Sequence, residues 1–203
     1  WNWVSKKLII NKLKKEYWDD YSQQFPFENI RLVFSNKKSN VKEPNDLIGF
    51  SKLAGLDPGS LIIINQIHSS NVIKANSPGI YAAADGIINR GGNLVCSIKV
   101  ADCLPIFFVN NNSKTIGLVH AGWRGLSLGI LNEFVNKIYL YKENVSDYYV
   151  LIGPSIKSCC FEIKDDVLEH FDSNHYNPSS NDKYKVDLQG WAIEDRKSTR
   201  LNS

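Results

Sequence analysis

The chain has 203 residues, of which 43% are hydrophobic and 22% are charged, and its net charge is +3. These values are typical of a globular domain and exclude a disordered or fibrous protein. The longest apolar runs, such as residues 61–64, are far shorter than the roughly 18 residues that a membrane helix needs. We therefore expect no membrane partner. Much of the basic excess lies in the lysine runs at residues 6–7 and 12–15, and such a run is usually a solvated face, so we expect no nucleic-acid partner.

The two ends of the chain differ from the rest. The sequence contains no methionine, so we expect that residues are missing before its first position. Residues 194–203 replace a patterned sequence by a polar string, which is typical of a non-native, adapter-derived tail. No linker or repeat divides the remainder. We therefore predict a single domain over residues 1–193 that is truncated at its C-terminus.

Hydrophobic alternation, turn residues and capping residues predict the elements of the first half. A short helix is expected to start at Asn45 or Asp46 and to end near Gly55. The extended segments are predicted over residues 28–35, 61–68, 85–89 and 93–102.

The second half begins with a predicted hairpin, whose strands cover residues 106–109 and 115–120. A helix of about four turns is expected just after Gly125, because apolar residues recur there at helical spacing. The remaining predictions are a strand over 148–153, a short helix over 165–171, and a loop that reaches a strand at 185–188. Roughly six strands and about three helices without regular βαβ order predict an α/β (α+β) sandwich with mixed sheets.

Three side chains lie where predicted apolar strands begin or end. His68 and His120 each close such a strand, and Cys103 stands just before another. Two imidazoles and one thiolate are suitable ligands for a catalytic zinc ion that keeps a fourth position open to water. Their spacing is too wide for a zinc finger, so the fold must bring separate strands together. The alternative interpretation is a buried free thiol and two hydrogen-bonded core histidines.

Two polar residues adjacent to these ligands are candidates for catalysis. Gln66 lies two residues before His68, so both side chains share a face if the strand is regular. It could orient a substrate, or it could be a polar residue on a solvated face. Asp102 precedes Cys103 and is a candidate for acid–base chemistry. The alternative for Asp102 is a hydrogen bond that ends the strand.

The segment HAGWRGL, at residues 120–126, places glycines on both sides of Trp123 and Arg124 before a predicted helix. Such a loop can offer backbone N–H groups and a guanidinium to a phosphate. The alternative is a tight turn in which Trp123 packs inside.

A second segment with a glycine, at residues 152–162, leaves the strand predicted over 148–153. It contains Ser155 and Cys160 as candidate site residues. We interpret Cys160 as a buried structural thiol, because the sequence places no histidine beside it to make it a nucleophile. His170 and His175 are expected to be solvated surface groups. The four cysteines form no regular disulfide framework, which favours a reducing, cytoplasmic compartment.

Five motifs together resemble the YfiH-like laccase-domain family, also called the polyphenol oxidase or purine nucleoside phosphorylase family. In chain order they are NQIHSSNV, ADGIIN, VADCLPIFFV, IGLVHAGWRGL and IGPSIKSCCFE. The resemblance implies a zinc-dependent, single-domain enzyme with a layered α/β/β/α fold, whose metal ligands fall on His68, Cys103 and His120. The family's C-terminal arginine-rich, aromatic strand has no counterpart in this chain.

The resemblance further implies phosphorolysis of adenosine, inosine, guanosine and methylthioadenosine, together with adenosine deamination. For such chemistry we assign catalysis to Asp102, Arg124 and Gln66, and substrate binding to Arg124, Ser155 and Cys160. Copper also binds these donor types, but multicopper oxidation needs more than four histidines. The remaining alternatives are a zinc hydrolase acting on a peptidoglycan precursor and a non-catalytic metal-binding module. We expect a monomer.

Overall fold

The computed structural model describes residues 2–3, 13–14, 16–91, 93–180 and 182–201. Within these residues there are four α-helices and fifteen strands. The helices are α1 (Pro44–Leu53), α2 (Trp123–Ser127), α3 (Ile130–Leu140) and α4 (Leu188–Leu201). The strands are β1 (Asn2–Trp3), β2 (Leu13–Lys14), β3 (Trp18–Asp20), β4 (Val33–Ser35), β5 (Leu61–Ile64), β6 (Val72–Lys74), β7 (Gly79–Tyr81), β8 (Gly86–Arg90), β9 (Val95–Ser97), β10 (Leu104–Asn110), β11 (Thr115–Ala121), β12 (Tyr149–Ile152), β13 (Glu162–Lys164), β14 (Tyr176–Ser180) and β15 (Lys183–Val186). In the part of the chain that the structure describes, every helix is too short or too polar to span a lipid bilayer.

The largest sheet has six strands in the spatial order β1-β12-β10-β11-β8-β6. Its three central pairings are antiparallel, whereas β1 with β12 and β6 with β8 are parallel. Three smaller sheets have the orders β2-β3-β4, β7-β5-β9 and β13-β15-β14. The predicted fold class, an α/β domain with mixed sheets, is therefore confirmed.

The two faces of the large sheet pack against different parts of the chain because side chains alternate along each strand. In β10, Ile106 and Phe108 face α3, where Phe134 stacks on Phe108 with ring centroids 4.0 Å apart. Phe107 and Val109 point to the opposite face and pack with the aromatic residues that precede β4. The central strands are therefore buried on both sides and form a rigid base for the loops at their ends.

Several predicted elements are confirmed. The hairpin is formed by β10 and β11, and the helix expected near Asn45 is α1. The predicted capping residues of α1 are wrong, because Glu43 is the N-cap and Asp46 lies in the first turn, where the two residues form a capping box. Gly55 has φ +73°, as a residue that ends a helix with a left-handed turn requires.

Other predicted elements are wrong in extent or type. The helix of about four turns after Gly125 is instead two helices, α2 and α3, separated at Gly129 with φ +78°. The strand predicted over 61–68 stops at Ile64, and only residues 95–97 of the segment 93–102 pair as a strand. The loop predicted after residue 171 contains β14, and the helix over 165–171 is a 3-10 helix.

The C-terminal helix bears on the predicted domain boundary. Helix α4 runs through residue 194, and Ala192 packs in the core that α3 forms with the sheet. The start of the predicted domain lies outside the described residues. The domain limits of 1–193 remain a prediction.

We predict that Gly117→Ala destabilises the protein by about 2 kcal/mol, the usual cost of overpacking a core. A Cβ at Gly117, in the middle of β11, would overlap the ring of Phe134, which is fully buried and cannot move aside. The measurement is the free energy of unfolding from denaturant titration. The matched control is Gly49→Ala in α1, where a Cβ meets no atom within 4 Å. The control is expected to stabilise by up to ~1 kcal/mol, and equal effects of the two variants would contradict the packing explanation.

Candidate metal centre

The register of one hairpin brings Cys103 and His120 together. Pro105 of β10 pairs with His120 of β11, and Cys103 directly precedes β10. The thiol and the imidazole therefore lie at the same end of the hairpin although they are 17 positions apart in sequence. The His120 side chain is buried and Cys103 is half-buried.

His68 reaches the same place from a loop rather than from a strand. It lies between β5 and β6, with a left-handed backbone at φ +59°. This conformation is uncommon for a residue other than glycine and needs support from its surroundings. The predicted shared strand face of Gln66 and His68 is therefore wrong, because β5 ends at Ile64.

The structure brings the three predicted ligands together. One donor atom from each of His68, Cys103 and His120 lies within 4.8 Å of the other two, and the two imidazole rings meet edge to face at 4.9 Å. His68 is exposed while His120 is buried. The donor set therefore opens to solvent on one side.

A glycine makes room for this donor set. A Cβ at Gly122 would lie 2.8 Å from the Cys103 sulfur and 3.5 Å from Cδ2 of His68. Any other residue would displace the thiol. Two nitrogens and one sulfur at this separation, with room kept free beside the sulfur, fit a metal ion that takes N and S ligands.

Asp85 organises the centre, although the sequence predicted only an extended segment there. Its carboxylate is fully buried and directly precedes β8, which pairs with β11. The carboxylate accepts hydrogen bonds from Nδ1 of His120 at 2.9 Å, from the N–H groups of Ile67 at 3.3 Å, His68 at 3.0 Å and Ser69 at 2.6 Å, and from the Ser69 hydroxyl at 2.8 Å. In the sequence, the sign of this role was a single acidic residue that lies between three alanines and an apolar strand.

The charge of Asp85 decides how His120 can bind a metal. Burial by itself raises the pKa of Asp85, but the hydrogen bonds from His120, Ser69 and His68 outweigh it and leave the pKa below its ordinary value. An ionised carboxylate only accepts hydrogen bonds, so Nδ1 of His120 must carry the proton. Nε2 of His120 is then the nitrogen that is free for a metal ion.

Burial also affects the two inner ligands. It lowers the pKa of His120, which the hydrogen bond to Asp85 opposes. It raises the pKa of the Cys103 thiol, and the negative charges of Asp102 and Asp85 raise it further. At neutral pH His120 is therefore neutral and ready to bind, whereas Cys103 must lose a proton when a metal ion binds.

The residues predicted to assist catalysis have different surroundings. Asp102 is exposed beside Cys103, and its backbone carbonyl accepts a hydrogen bond from Ile156 at 2.9 Å. Gln66 binds the backbone of Lys99 through both ends of its amide, at 2.7 and 2.8 Å. Gln66 thus ties the loop that carries His68 to the segment that leads to Cys103.

Arg124 is exposed at the start of α2, and its guanidinium lies over the ring of Trp123, 4.3 Å from the centroid. Trp123 is half-buried and also packs against His170, with ring centroids 5.3 Å apart. The segment in which the sequence predicted a phosphate-binding loop forms a short helix. Its arginine is accessible to a ligand.

The segment over residues 152–162, which follows strand β12, differs from the prediction. Ser155 accepts a hydrogen bond from the side chain of Gln189 at 2.9 Å. The interpretation of Cys160 as a buried thiol is wrong, because Cys160 is exposed on a surface turn. His175 is likewise not a surface group: it is 6% exposed and stacks on Trp191.

The sequence also matches a family of known proteins. Residues 21–201 match the family model described as multi-copper polyphenol oxidoreductase laccase. The chain belongs to this family. The predicted resemblance to YfiH-like proteins is thereby confirmed.

Individual members of this laccase-domain family support the assignment. The chain is 31% identical over 166 residues to a protein of Rickettsia prowazekii named purine nucleoside phosphorylase RP494, and the match covers 81% of this chain and 68% of that protein. It is also 31% identical to the Escherichia coli protein named purine nucleoside phosphorylase YfiH, covering 66% of this chain and 57% of that protein. The chain thus spans less than two thirds of the E. coli relative.

Solved structures show the same fold. The crystal structure of the Bacillus licheniformis hypothetical protein YfiH superimposes with a TM-score of 0.77 at 19% sequence identity, covering 89% of this chain and 80% of that one. Since the identity is low, this likeness concerns the fold alone.

We predict that Asp85→Asn lowers the affinity for a divalent metal about 10- to 100-fold, the usual effect of removing a residue that orients a ligand. An asparagine has the same shape as the aspartate, but its NH₂ group would face the N–H and O–H groups that now donate to the carboxylate. The substitution also removes the negative charge that fixes the His120 tautomer. The measurement is competition with a chelator. The control is Asp172→Asn, since the Asp172 side chain accepts local hydrogen bonds from the N–H of Asn174 and the hydroxyl of Ser173, and asparagine serves in such a turn equally well. An unchanged affinity in Asp85→Asn would contradict the role given to this carboxylate.

Metal affinity is expected to rise with pH. The pKa of Cys103 is raised, so each bound ion displaces the thiol proton, and the affinity should increase about tenfold per pH unit below that pKa. His120, whose pKa is lowered, adds no proton release near neutrality. The measurement is the same chelator competition between about pH 6 and about pH 8. An affinity that does not change with pH would show that the Cys103 thiolate is not a ligand.

Proposed function

We propose that this protein is a zinc-dependent purine nucleoside phosphorylase. The observation that carries the proposal is the set of three donors on His68, Cys103 and His120, which is fixed by a buried carboxylate on one side and open to solvent on the other. Relatives about one third identical are named purine nucleoside phosphorylase, and the chain has their family's domain over most of its length.

Zinc is the proposed ion because its tetrahedral sites take nitrogen and sulfur ligands and, in enzymes, keep a fourth position open. When bound, it would supply Lewis-acid polarisation at that position. Copper binds similar donors, but multicopper oxidation needs several ions. The whole chain has four histidines, and in the described residues His68, Cys103 and His120 are the one group of three or more His, Cys, Asp or Glu side chains suited to a metal ion. The number of suitable side chains therefore supports a site for a single metal ion.

In phosphorolysis a phosphate oxygen bonds to C1′ of the ribose while the bond from C1′ to the purine nitrogen breaks. The exposed guanidinium of Arg124 binds the phosphate through paired N–H groups and orients it. Arg124 lies in α2, which has only five residues, so the guanidinium, rather than a helix end, provides the positive charge. The products are the free base and ribose 1-phosphate.

The departing purine gains a proton from water, and Asp102 is the proposed group that holds this proton on the purine nitrogen by a hydrogen bond. Its carboxylate is exposed beside Cys103, where it can accept a hydrogen bond from a purine N–H. In the proposed adenosine deamination, the same carboxylate would take a proton from the attacking water. One exposed carboxylate beside the ligands can thus serve both reactions.

The other assigned residues have supporting roles. Gln66 positions the His68 loop through its two hydrogen bonds to Lys99. Ser155 and Cys160 are proposed to line the substrate side, since their segment is hydrogen-bonded to the backbone of Asp102. The proposed substrates are adenosine, inosine, guanosine and methylthioadenosine.

The proposed cellular compartment is argued from the free cysteines. Cys103 must remain reduced to bind a metal, and the described cysteines are all free, which supports a reducing, cytoplasmic compartment. We propose a single catalytic domain over residues 1–193 that acts as a monomer on small molecules, without nucleic-acid or membrane partners.

The test is phosphate-dependent release of hypoxanthine from inosine by the zinc-loaded protein. Cys103→Ala and His68→Ala should each lower the rate on the order of a hundredfold or more, because each removes a metal ligand. Arg124→Ala should raise KM for phosphate roughly 10- to 100-fold, the value of a charged hydrogen bond. Lys137→Ala, a partly exposed cation on α3, is the control that should leave KM unchanged.

Other outcomes identify other functions. Equal hypoxanthine release with and without phosphate would indicate a hydrolase and overturn the phosphorylase assignment. Inosine formation from adenosine would support the deaminase activity. If the zinc-loaded protein converts no nucleoside but releases an amino acid from a peptidoglycan precursor, the proposal fails in favour of a zinc hydrolase.

A further inference from the structure

The turn that precedes β13 carries two adjacent thiols outside the metal centre. Cys159 and Cys160 are both free and both exposed, and their sulfur atoms lie 3.0 Å apart. Side chains of consecutive residues usually diverge. This turn instead points both sulfurs to the same patch of solvent.

Hydrogen bonds hold the turn on both sides. The N–H groups of Cys160 and Phe161 both donate to the carbonyl of Lys157, at 2.9 and 3.0 Å. Before the turn, Ile156 donates to Asp102, and after it the carbonyl of Phe161 accepts from Val186 at 3.0 Å. The two thiols are therefore presented by a fixed backbone, which reduces the entropy lost when both bind one ligand.

The close sulfurs could in principle be joined by a disulfide or by a bridging atom. Consecutive Cα atoms are about 3.8 Å apart, whereas disulfides are found at Cα separations of about 4.4 to about 6.8 Å. A direct S–S bond between Cys159 and Cys160 would therefore be strained. An atom that bonds to both sulfurs avoids this strain, because it closes a larger ring.

The charges around the pair suit a ligand that replaces two thiol protons. The neighbouring Cys159 thiol raises the pKa of Cys160, because the two sulfurs share a proton and resist a double negative charge. The exposed ammonium of Lys185, on β15, acts in the opposite direction. An electrophile that bonds to both sulfurs removes both protons without leaving that double charge.

We propose that Cys159 and Cys160 form a second binding site, separate from the His68–Cys103–His120 centre, that chelates trivalent organoarsenicals through both sulfurs. With phenylarsine oxide, two S–H bonds and the As=O bond break and two As–S bonds form. The two protons leave with the oxygen as one water molecule. Arsenic stays trivalent, so no oxidant or reductant is needed.

The test is titration of the reduced protein with phenylarsine oxide, with phosphine as reductant to avoid competing thiols. Intact mass spectrometry should show one phenylarsenic unit per chain, with loss of two hydrogens. Peptide mapping should place it on the peptide that contains both cysteines. Cys159→Ser and Cys160→Ser should each weaken binding on the order of 10²- to 10⁴-fold, because one sulfur loses the advantage of chelation.

The matched control is Cys103→Ala, which removes the thiol of the metal centre and should leave arsenical binding unchanged. Metal binding by Cys159→Ser, measured in parallel, should equal that of the unchanged protein and shows that the variant is folded. The proposal is overturned if the fully reduced protein takes up no arsenical. It is also overturned if Cys159→Ser keeps full affinity or if Cys103→Ala loses it, since the reagent then binds at the metal centre.

Discussion

The buried carboxylate of Asp85 is the constraint on which the rest of the site depends. A buried charge is costly unless hydrogen bonds replace its water, and here the donors of these hydrogen bonds belong to the site itself. The ring of His120 donates on one side, and the N–H groups of residues 67–69 donate on the other. A single charge thereby fixes the tautomer of one ligand and the backbone of the loop that carries another.

This arrangement explains why a strained loop conformation persists. His68 has a left-handed backbone at φ +59°, which costs free energy in a residue with a Cβ. The hydrogen bonds from His68 and Ser69 to Asp85 offset that cost. The result is one ligand on a loop facing solvent and two at the end of a rigid hairpin, so the open side of the donor set is the side from which a substrate would arrive.

Local pattern predicted the elements whose stability is local. The hairpin of β10 and β11 followed from alternating apolar residues around a short polar turn, and α1 followed from its apolar spacing and Gly55. The break between α2 and α3 was not predicted, because the apolar spacing continues across Gly129 and only its positive φ ends the helix. Strand β14 was missed because its polar residues pair at an exposed edge, where no hydrophobic alternation is required.

The sequence by itself determined which atoms could bind a metal: it has four histidines and four cysteines, and the family motifs mark His68, Cys103 and His120 among them. It also determined the hairpin that places two of these residues side by side. Only the tertiary structure decided that Asp85 joins His120 to the loop of His68, that Gln66 ties this loop to Lys99, and that Cys160 is exposed beside Cys159. The physical reason is that these contacts, apart from the adjacent cysteines, join residues 17 to 35 positions apart. Local residue preferences do not predict such contacts, because the contacts are created by the packing and register of separate strands.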